Sequence, residues 1–289
     1  MKSFTSDLPY HSYLDVALEA AHRAGELIRR ARYQRHQIAK KGRINLVTEV
    51  DKASEELIFS TLQRYYPEHT ILGEEQGQTT KRSSPYRWIV DPLDGTTNFA
   101  QNYPCFAVSI ALEFEGRVIV GVVYDPCQDE SFYATLGGGA YLNGHPIEVS
   151  QTDNLEDSLL VAGFPYNLNS APEINLAIFR DMILQARGVR RDGSAAIDLA
   201  YIACGRFDAY WELGLSPWDV AAGRLLVQEA GGIISDFWGQ EHLLHYRDIL
   251  ATNRPLHPVL LEAVRPYLNS LRHSPYWVER QPQLAARPA

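Results

Sequence analysis

The segment Trp88-Ile-Val-Asp91-Pro92-Leu93-Asp94-Gly95-Thr96-Thr97-Asn98-Phe99 constrains this chain more than any other stretch. Trp88 to Val90 is an apolar run that predicts the end of a buried strand. Pro92 has no N–H to give a sheet ladder, so the strand is expected to stop at Asp91. Gly95 permits a sharp bend. Thr96 and Thr97 are suited to cap a short helix whose N–H groups point back at the turn. Two carboxylates, an irregular backbone with a free carbonyl, a hydroxyl and a helix N-terminus therefore converge. Hard cations take oxygen ligands, and phosphate takes N–H groups and cations. Asp-Pro-x-Asp-Gly alone fits a plain strand–turn–helix junction equally well, with aspartate as turn former and threonine as cap.

The rest of the chain alternates helix and strand. Residues 10 to 33 predict a long amphipathic helix, with Leu14, Ala17, Leu18, Ala21, Ala24 and Ile28 at helical spacing. Lys40-Lys41-Gly42-Arg43 reads as a loop. Thr48 is placed to cap a second helix, with Asp51 three residues on and Pro67 beyond its end. His69 to Leu72 predicts a short strand leading into Gly73-Glu74-Glu75, and Gln76 to Pro85 a polar, mobile loop. Phe106 to Phe114 and Arg117 to Tyr124 predict an antiparallel pair, with Ser131 to Thr135 returning as a third strand. Gly137-Gly138-Gly139 is not read as a phosphate loop, because a hairpin rather than a helix follows it.

In the second half, Glu173 to Gln185 predicts a helix and Val189 to Arg191 a short strand. Ser194 is placed to cap a helix ending near Cys204-Gly205. Phe207 to Trp211 predicts a strand. Ser216-Pro217 opens a helix that ends near Ala230, by the cap-then-proline rule. Strands follow at Ile233 to Asp236 and Ile249 to Thr252, then a helix at Leu256 to Leu268. The expected fold class is α+β, with helices alternating with mixed-sheet layers in one unit over residues 1–270. Residues 271–289 lack any period and predict a disordered tail.

With a formal net charge of -8 and pI near 5.6, the chain lacks the basic surface that non-specific nucleic-acid binding requires. An anionic substrate stays open, because bound metal ions reverse the field locally. Cys105, Cys127 and Cys204 lie far apart in sequence and predict reduced thiols. No signal-peptide core or run of about 18 apolar residues is present, so a cytoplasmic location off the membrane is expected.

Three acidic segments lie at element boundaries: Glu74-Glu75, Asp91 with Asp94, and Asp219. Singly, Asp219 fits a helix-dipole partner and Glu74-Glu75 a solvated loop. Together with the central segment they make an all-oxygen set suited to two or three Mg²⁺ ions. Packed carboxylates repel, so such a set implies cations.

The run from Trp88 to Phe99 resembles the signature of the inositol monophosphatase family of metal-dependent, lithium-sensitive phosphatases, and the resemblance extends to about residue 270. It implies a five-layer αβαβα sandwich, Mg²⁺ dependence, a homodimer and a small anionic phosphate-ester substrate. Glu74, Asp91, the Leu93 carbonyl, Asp94, Thr96 and Asp219 match the family's metal positions. Lys40 and Asp51 match positions near a third metal and behind the catalytic threonine, Thr96. Asn45 stands where many relatives carry aspartate. Gly193, Ser194, Ala195 and Glu212 match positions that hold the substrate ring. The N–H groups of Gly95 to Thr97 are expected to cradle phosphate.

The implied activity is hydrolysis of an inositol monophosphate, with Glu74, Thr96, Asp51 and Lys40 in catalytic roles. Thr97-Asn98 stands where nucleotide 3′-phosphatases of the superfamily carry Lys-Gly. Fructose 1,6-bisphosphate, histidinol phosphate and 3′-phosphoadenosine phosphate remain alternative substrates. A regulatory contact with the transcription machinery is the alternative outside catalysis. For the homodimer, the apolar strands from Phe106 to Tyr124 are the expected shared face.

Overall fold

The computed structural model describes residues 8–34, 38–40, 46–78, 84–164, 172–241, 244 and 248–273. The first helix, α1 (His11–Ala31), forms on the expected apolar stripe and buries Leu14, Ala17, Leu18, Ala21, Ala24 and Ile28. β1 (Ile38–Lys40) and β2 (Leu46–Thr48) pair antiparallel. Thr48 then caps α2 (Glu49–Tyr65). Its hydroxyl accepts from the Val50 N–H while Asp51 accepts from the Thr48 N–H, and this reciprocal closure fixes where the helix starts.

The first sheet begins with β3 (Thr70–Gly73), β4 (Gly77–Gln78) and β5 (Tyr86–Asp94). A single turn of helix, α3 (Thr96–Ala100), follows β5. The sheet continues with β6 (Ala107–Phe114), β7 (Arg117–Asp125), β8 (Glu130–Thr135), β9 (Gly139–Leu142) and β10 (His145–Ile147). The strand order is β10-β9-β8-β7-β6-β5-β3-β4, with β3 and β5 parallel and the other neighbours antiparallel.

The second half supplies β11 (Leu159–Ala162), α4 (Pro172–Ile183), β12 (Gly188–Arg190), α5 (Ala195–Ala203) and β13 (Ala209–Leu213). It ends with α6 (Pro217–Glu229), β14 (Ile233–Ser235), β15 (Asp248–Thr252) and α7 (Leu256–Arg272). Its sheet runs β12-β11-β13-β15-β14 and is also mixed.

Three apolar clusters hold the layers together. α1 and α2 cover one face of the first sheet, through Leu14, Ile58, Trp88 and Ile110. α5 and α6 fill the space between the sheets, through Leu199, Leu225, Ala111 and Tyr210. α4 and α7 close the outer face of the second sheet, through Ile178, Leu260 and Trp211. The result is the α+β, five-layer αβαβα order that the resemblance implied.

Several expectations are corrected. β5 does not stop at Asp91 but continues to Asp94, with a register shift in its pairing to β6 between those residues. Pro92 is tolerated there because a bulge needs no ladder donor, and its carbonyl accepts from Ser54 Oγ at 2.8 Å. Thr96 and Thr97 do not cap α3; Gly95 does, in the left-handed region at φ 92. β4 occupies part of the expected mobile loop, and residues 79–83 lie outside the described residues. The helix expected to end at Leu268 runs to Arg272 with Leu271 fully buried, so the expected tail loses its first residues to α7. Residues 274–289 lie outside the described residues. β6 and β7 lie inside the first sheet, with α1 on one face and α6 on the other, so they offer no face to a second copy.

Candidate active site

Backbone register brings the acidic residues together. β3 pairs parallel with β5 so that Gly73 lies opposite Val90, and Glu74 therefore leaves its strand beside Asp91. Asp91 and Asp94 are three apart, and on a regular strand they would face opposite sides of the sheet. Between them β5 advances three residues while β6 advances two, from Ser109 to Ala107. This bulge returns both carboxylates to one site. Asp219 arrives from the first turn of α6, which packs against β5 and β6. One carboxylate oxygen from each of Asp91, Asp94 and Asp219 lies within 4.8 Å of the others.

Each acid is held by the backbone near it. Asp91 accepts from the Leu93 N–H at 3.0 Å. Asp94 Oδ2 accepts from Ser194 Oγ at 2.6 Å and from the Ala196 N–H at 2.8 Å, tying the first sheet to the start of α5. Asp219 Oδ2 accepts from the Ser216 N–H at 2.6 Å, so this residue caps its helix as well as facing the cluster. Burial is the leading cause that raises all three carboxyl groups, and for Asp91 and Asp219 the neighbouring acids, Glu74 included, push further the same way. Asp91 and Asp219 lie well above the ordinary carboxylate range, and Asp94 is pushed up to about 6. An all-oxygen, mutually repelling set of this kind fits a hard divalent cation, which would restore the ionised forms.

Beside the cluster, Thr96 Oγ lies 2.8 Å from Asp51 Oδ1 and 3.2 Å from the Leu93 carbonyl oxygen. Asp51 is fully buried, and its Oδ2 accepts the Thr48 N–H and hydroxyl. Burial raises the Asp51 carboxyl, against the pull of those bonds. Lys40 lies on β1 opposite Leu46. Its side chain and Asn45 lie outside the described residues.

A cleft of about 470 Å³, open to solvent, extends from Asp94 and Asp219 toward the second sheet. Gly193, Ser194, Ala195 and Glu212 line it, and Thr97 is the second residue of α3. Glu212 is raised to about 7, chiefly by burial, and accepts a hydrogen bond from the Tyr210 hydroxyl. A Cβ at Gly163 would sit 1.6 Å from Glu212 Oε2, so a side chain there would displace the Glu212 carboxyl group.

Sequence reasoning missed four contributors. Glu55, four residues after Asp51 and fully buried, accepts the Glu75 N–H at 2.9 Å and so positions the Glu74 loop. The helical spacing of two acids was the available signal. Asn98 donates to the Cys105 carbonyl at 2.7 Å and the Asp192 carbonyl at 2.8 Å, joining α3 to the loop before α5. Arg191 and Asp198 line the cleft. Asp198 is the one charged residue within the apolar run of α5, which could have marked it.

Residues 10–269 match the model of the inositol monophosphatase family. The chain is 46% identical over 261 residues to a protein named Nus factor SuhB from Pseudomonas aeruginosa, covering 88% of this chain and 96% of the relative. It is 44% identical over 276 residues to an inositol-1-monophosphatase from Synechocystis sp., covering 95% of this chain and 93% of the relative. Among solved structures, the extragenic suppressor protein suhB from Bartonella henselae superposes with a TM-score of 0.84 at 38% identity, over 88% of this chain and 98% of that one. The inositol monophosphatase of Anabaena superposes with a TM-score of 0.80 at 43% identity, over 88% and 96% of the two chains.

Proposed function

This chain belongs to the inositol monophosphatase family, and from that premise we propose that it hydrolyses phosphate monoesters of polyols, with myo-inositol 1-phosphate as its principal substrate. The observation that carries this reading is the convergence of Asp91, Asp94 and Asp219, the last two of which line a cleft open to solvent. These three, with Glu74 and the Leu93 carbonyl, would hold two or three Mg²⁺ ions. When bound, Mg²⁺ supplies an acidified water and neutralises charge on the phosphate oxygens.

The chain's own residues do the positioning. Asp51 takes the Thr96 proton in a hydrogen bond, so the lone pairs of Thr96 Oγ are turned toward an attacking water and accept its proton in a hydrogen bond. Glu74 receives that proton. The N–H groups of Thr96 and Thr97 meet the phosphate oxygens, with Gly95 providing the bend. By the family resemblance, Lys40 would offset charge near a third metal. Gly193, Ser194, Ala195 and Glu212 hold the alcohol part of the ester.

Phosphate release from a panel of inositol, sugar, histidinol and nucleotide phosphates tests this assignment. Higher kcat/KM on fructose 1,6-bisphosphate, histidinol phosphate or 3′-phosphoadenosine phosphate than on myo-inositol 1-phosphate would move the chain to another substrate. A second role, contact with the transcription machinery, is supported by the relatives named Nus factor SuhB. Co-purification with bacterial RNA polymerase reads it. The homodimer rests on the family alone, and light scattering at micromolar concentration reads it.

A further inference from the structure

Asp198 lies in the first turns of α5 with only 1% of its surface exposed. Its Oδ1 has no hydrogen-bond partner among the described residues, yet the residue lines the cleft. The other α5 residues buried around it are alanine, isoleucine and leucine. Apolar helices do not keep an unpaired carboxyl without a reason, because burying one unsatisfied is unfavourable. Its charged neighbours are Asp192, Glu212, Asp94 and Arg191. The nearby Tyr210 hydroxyl is already committed to Glu212. None of the described residues completes Asp198, and the cleft it lines is the open side from which a partner reaches it.

The surroundings select what that partner is. Carboxyl groups accept and a guanidinium only donates, so Asp198, Glu212 and Arg191 together match groups that do both. Hydroxyls do both, whereas an ammonium only donates. A second phosphate would meet Arg191 but also the carboxyl groups of Asp198 and Glu212. Phe164 and Leu215, in the same cleft, are suited to the C–H face of a ring.

We propose that Asp198 is a specificity-determining residue whose unpartnered carboxyl oxygen reads a ring hydroxyl of a polyol monophosphate. This rests on the phosphatase reading above and goes beyond it in naming the group recognised and the residue that recognises it.

Steady-state kinetics of wild type, Asp198→Ala and Asp198→Asn test it on three esters: myo-inositol 1-phosphate, 4-nitrophenyl phosphate, which has no hydroxyl to read, and 2-aminoethyl phosphate. Asp198→Ala is expected to raise KM for the inositol ester about tenfold or more, the scale of losing one hydrogen bond to a charged or polar partner. Its KM for the nitrophenyl ester should stay within about twofold of wild type. Asp198→Asn, equal in size and still able to bond a hydroxyl, should fall between and guards against a misfolded alanine variant. Equal changes on both esters, or none on either, would assign Asp198 a structural role and overturn the proposal. A lower KM for the aminoethyl ester than for the inositol ester would overturn it in favour of a cation reader. Wild type inactive on all three esters would instead remove the phosphatase reading and this inference with it.

Discussion

Thr96 Oγ lies 2.8 Å from Asp51 Oδ1, and this one bond joins the start of α3 to the first turn of α2. The carboxylate that receives it is clamped on its other oxygen by Thr48, so Asp51 cannot turn away. The pair therefore sets the direction of the Thr96 lone pairs. Thr96→Val keeps the shape and removes the hydroxyl. Turnover should fall by at least about 10²-fold, the lower end of what a positioned proton acceptor contributes. Thr96→Ser should retain most of it. Thr96→Val with near-normal kcat would reduce the pair to a fold contact.

Asp219 has two jobs that one substitution separates. Asn in its place still accepts from the Ser216 N–H, so α6 keeps its cap. It lacks the charge that the cluster uses. Asp219→Asn should unfold at a temperature close to that of wild type and lose at least about 10²-fold in turnover, the scale of one transition-state electrostatic contact. A fully active variant would leave Asp219 as a helix cap alone.

The site depends on how closely α6 approaches the first sheet, and Gly121 on β7 sets that distance. A Cβ at Gly121 would lie 2.8 Å from the Ala222 carbonyl oxygen and 3.0 Å from its Cα. These are backbone atoms, which cannot swing aside. Gly121→Ala should destabilise the protein by about 1–3 kcal/mol, as overpacking does, read as a lower urea midpoint. An unchanged midpoint would mean that α6 tolerates displacement.

The carboxyl cluster gives the metal-free protein a pH signature. Asp94 is raised to about 6, and Asp91 and Asp219 lie well above their ordinary values, all chiefly by burial. At a pH between the unfolded and folded values, the folded chain holds protons that the unfolded chain has lost. The stabilisation is full below the ordinary carboxylate range and falls away as pH rises through about 6 and beyond. His22, His69 and His257 are lowered by burial and act oppositely, losing stability as pH falls. Comparing the protein with and without Mg²⁺ at each pH removes that background. The Mg²⁺-induced rise in Tm should be larger at pH 8 than at pH 5.5. Equal shifts at both would mean that the cation binds somewhere other than these acids.

Much of this was legible because local patterns and tertiary demands agree. The Thr48 and Asp51 cap, the α1 stripe and the Ser216-Pro217 start follow from short-range rules, and the structure keeps them. The acidic residues could be named from the Trp88–Phe99 segment and its resemblance. Their meeting depended on a parallel β3–β5 register and a bulge, which have no short-range signal. Pro92 misled for that reason, since a bulge accepts a residue that a ladder rejects. β11 was passed over because four apolar residues carry no period of their own. The face expected for a dimer failed because strands apolar on both sides belong inside a layered fold.

The most direct test is phosphate release from myo-inositol 1-phosphate by the purified protein, measured with millimolar Mg²⁺ and again in excess chelator. Release that needs Mg²⁺, stops in chelator and returns when Mg²⁺ is restored is the predicted result. Undiminished turnover in chelator would contradict a cation site at Asp91, Asp94 and Asp219.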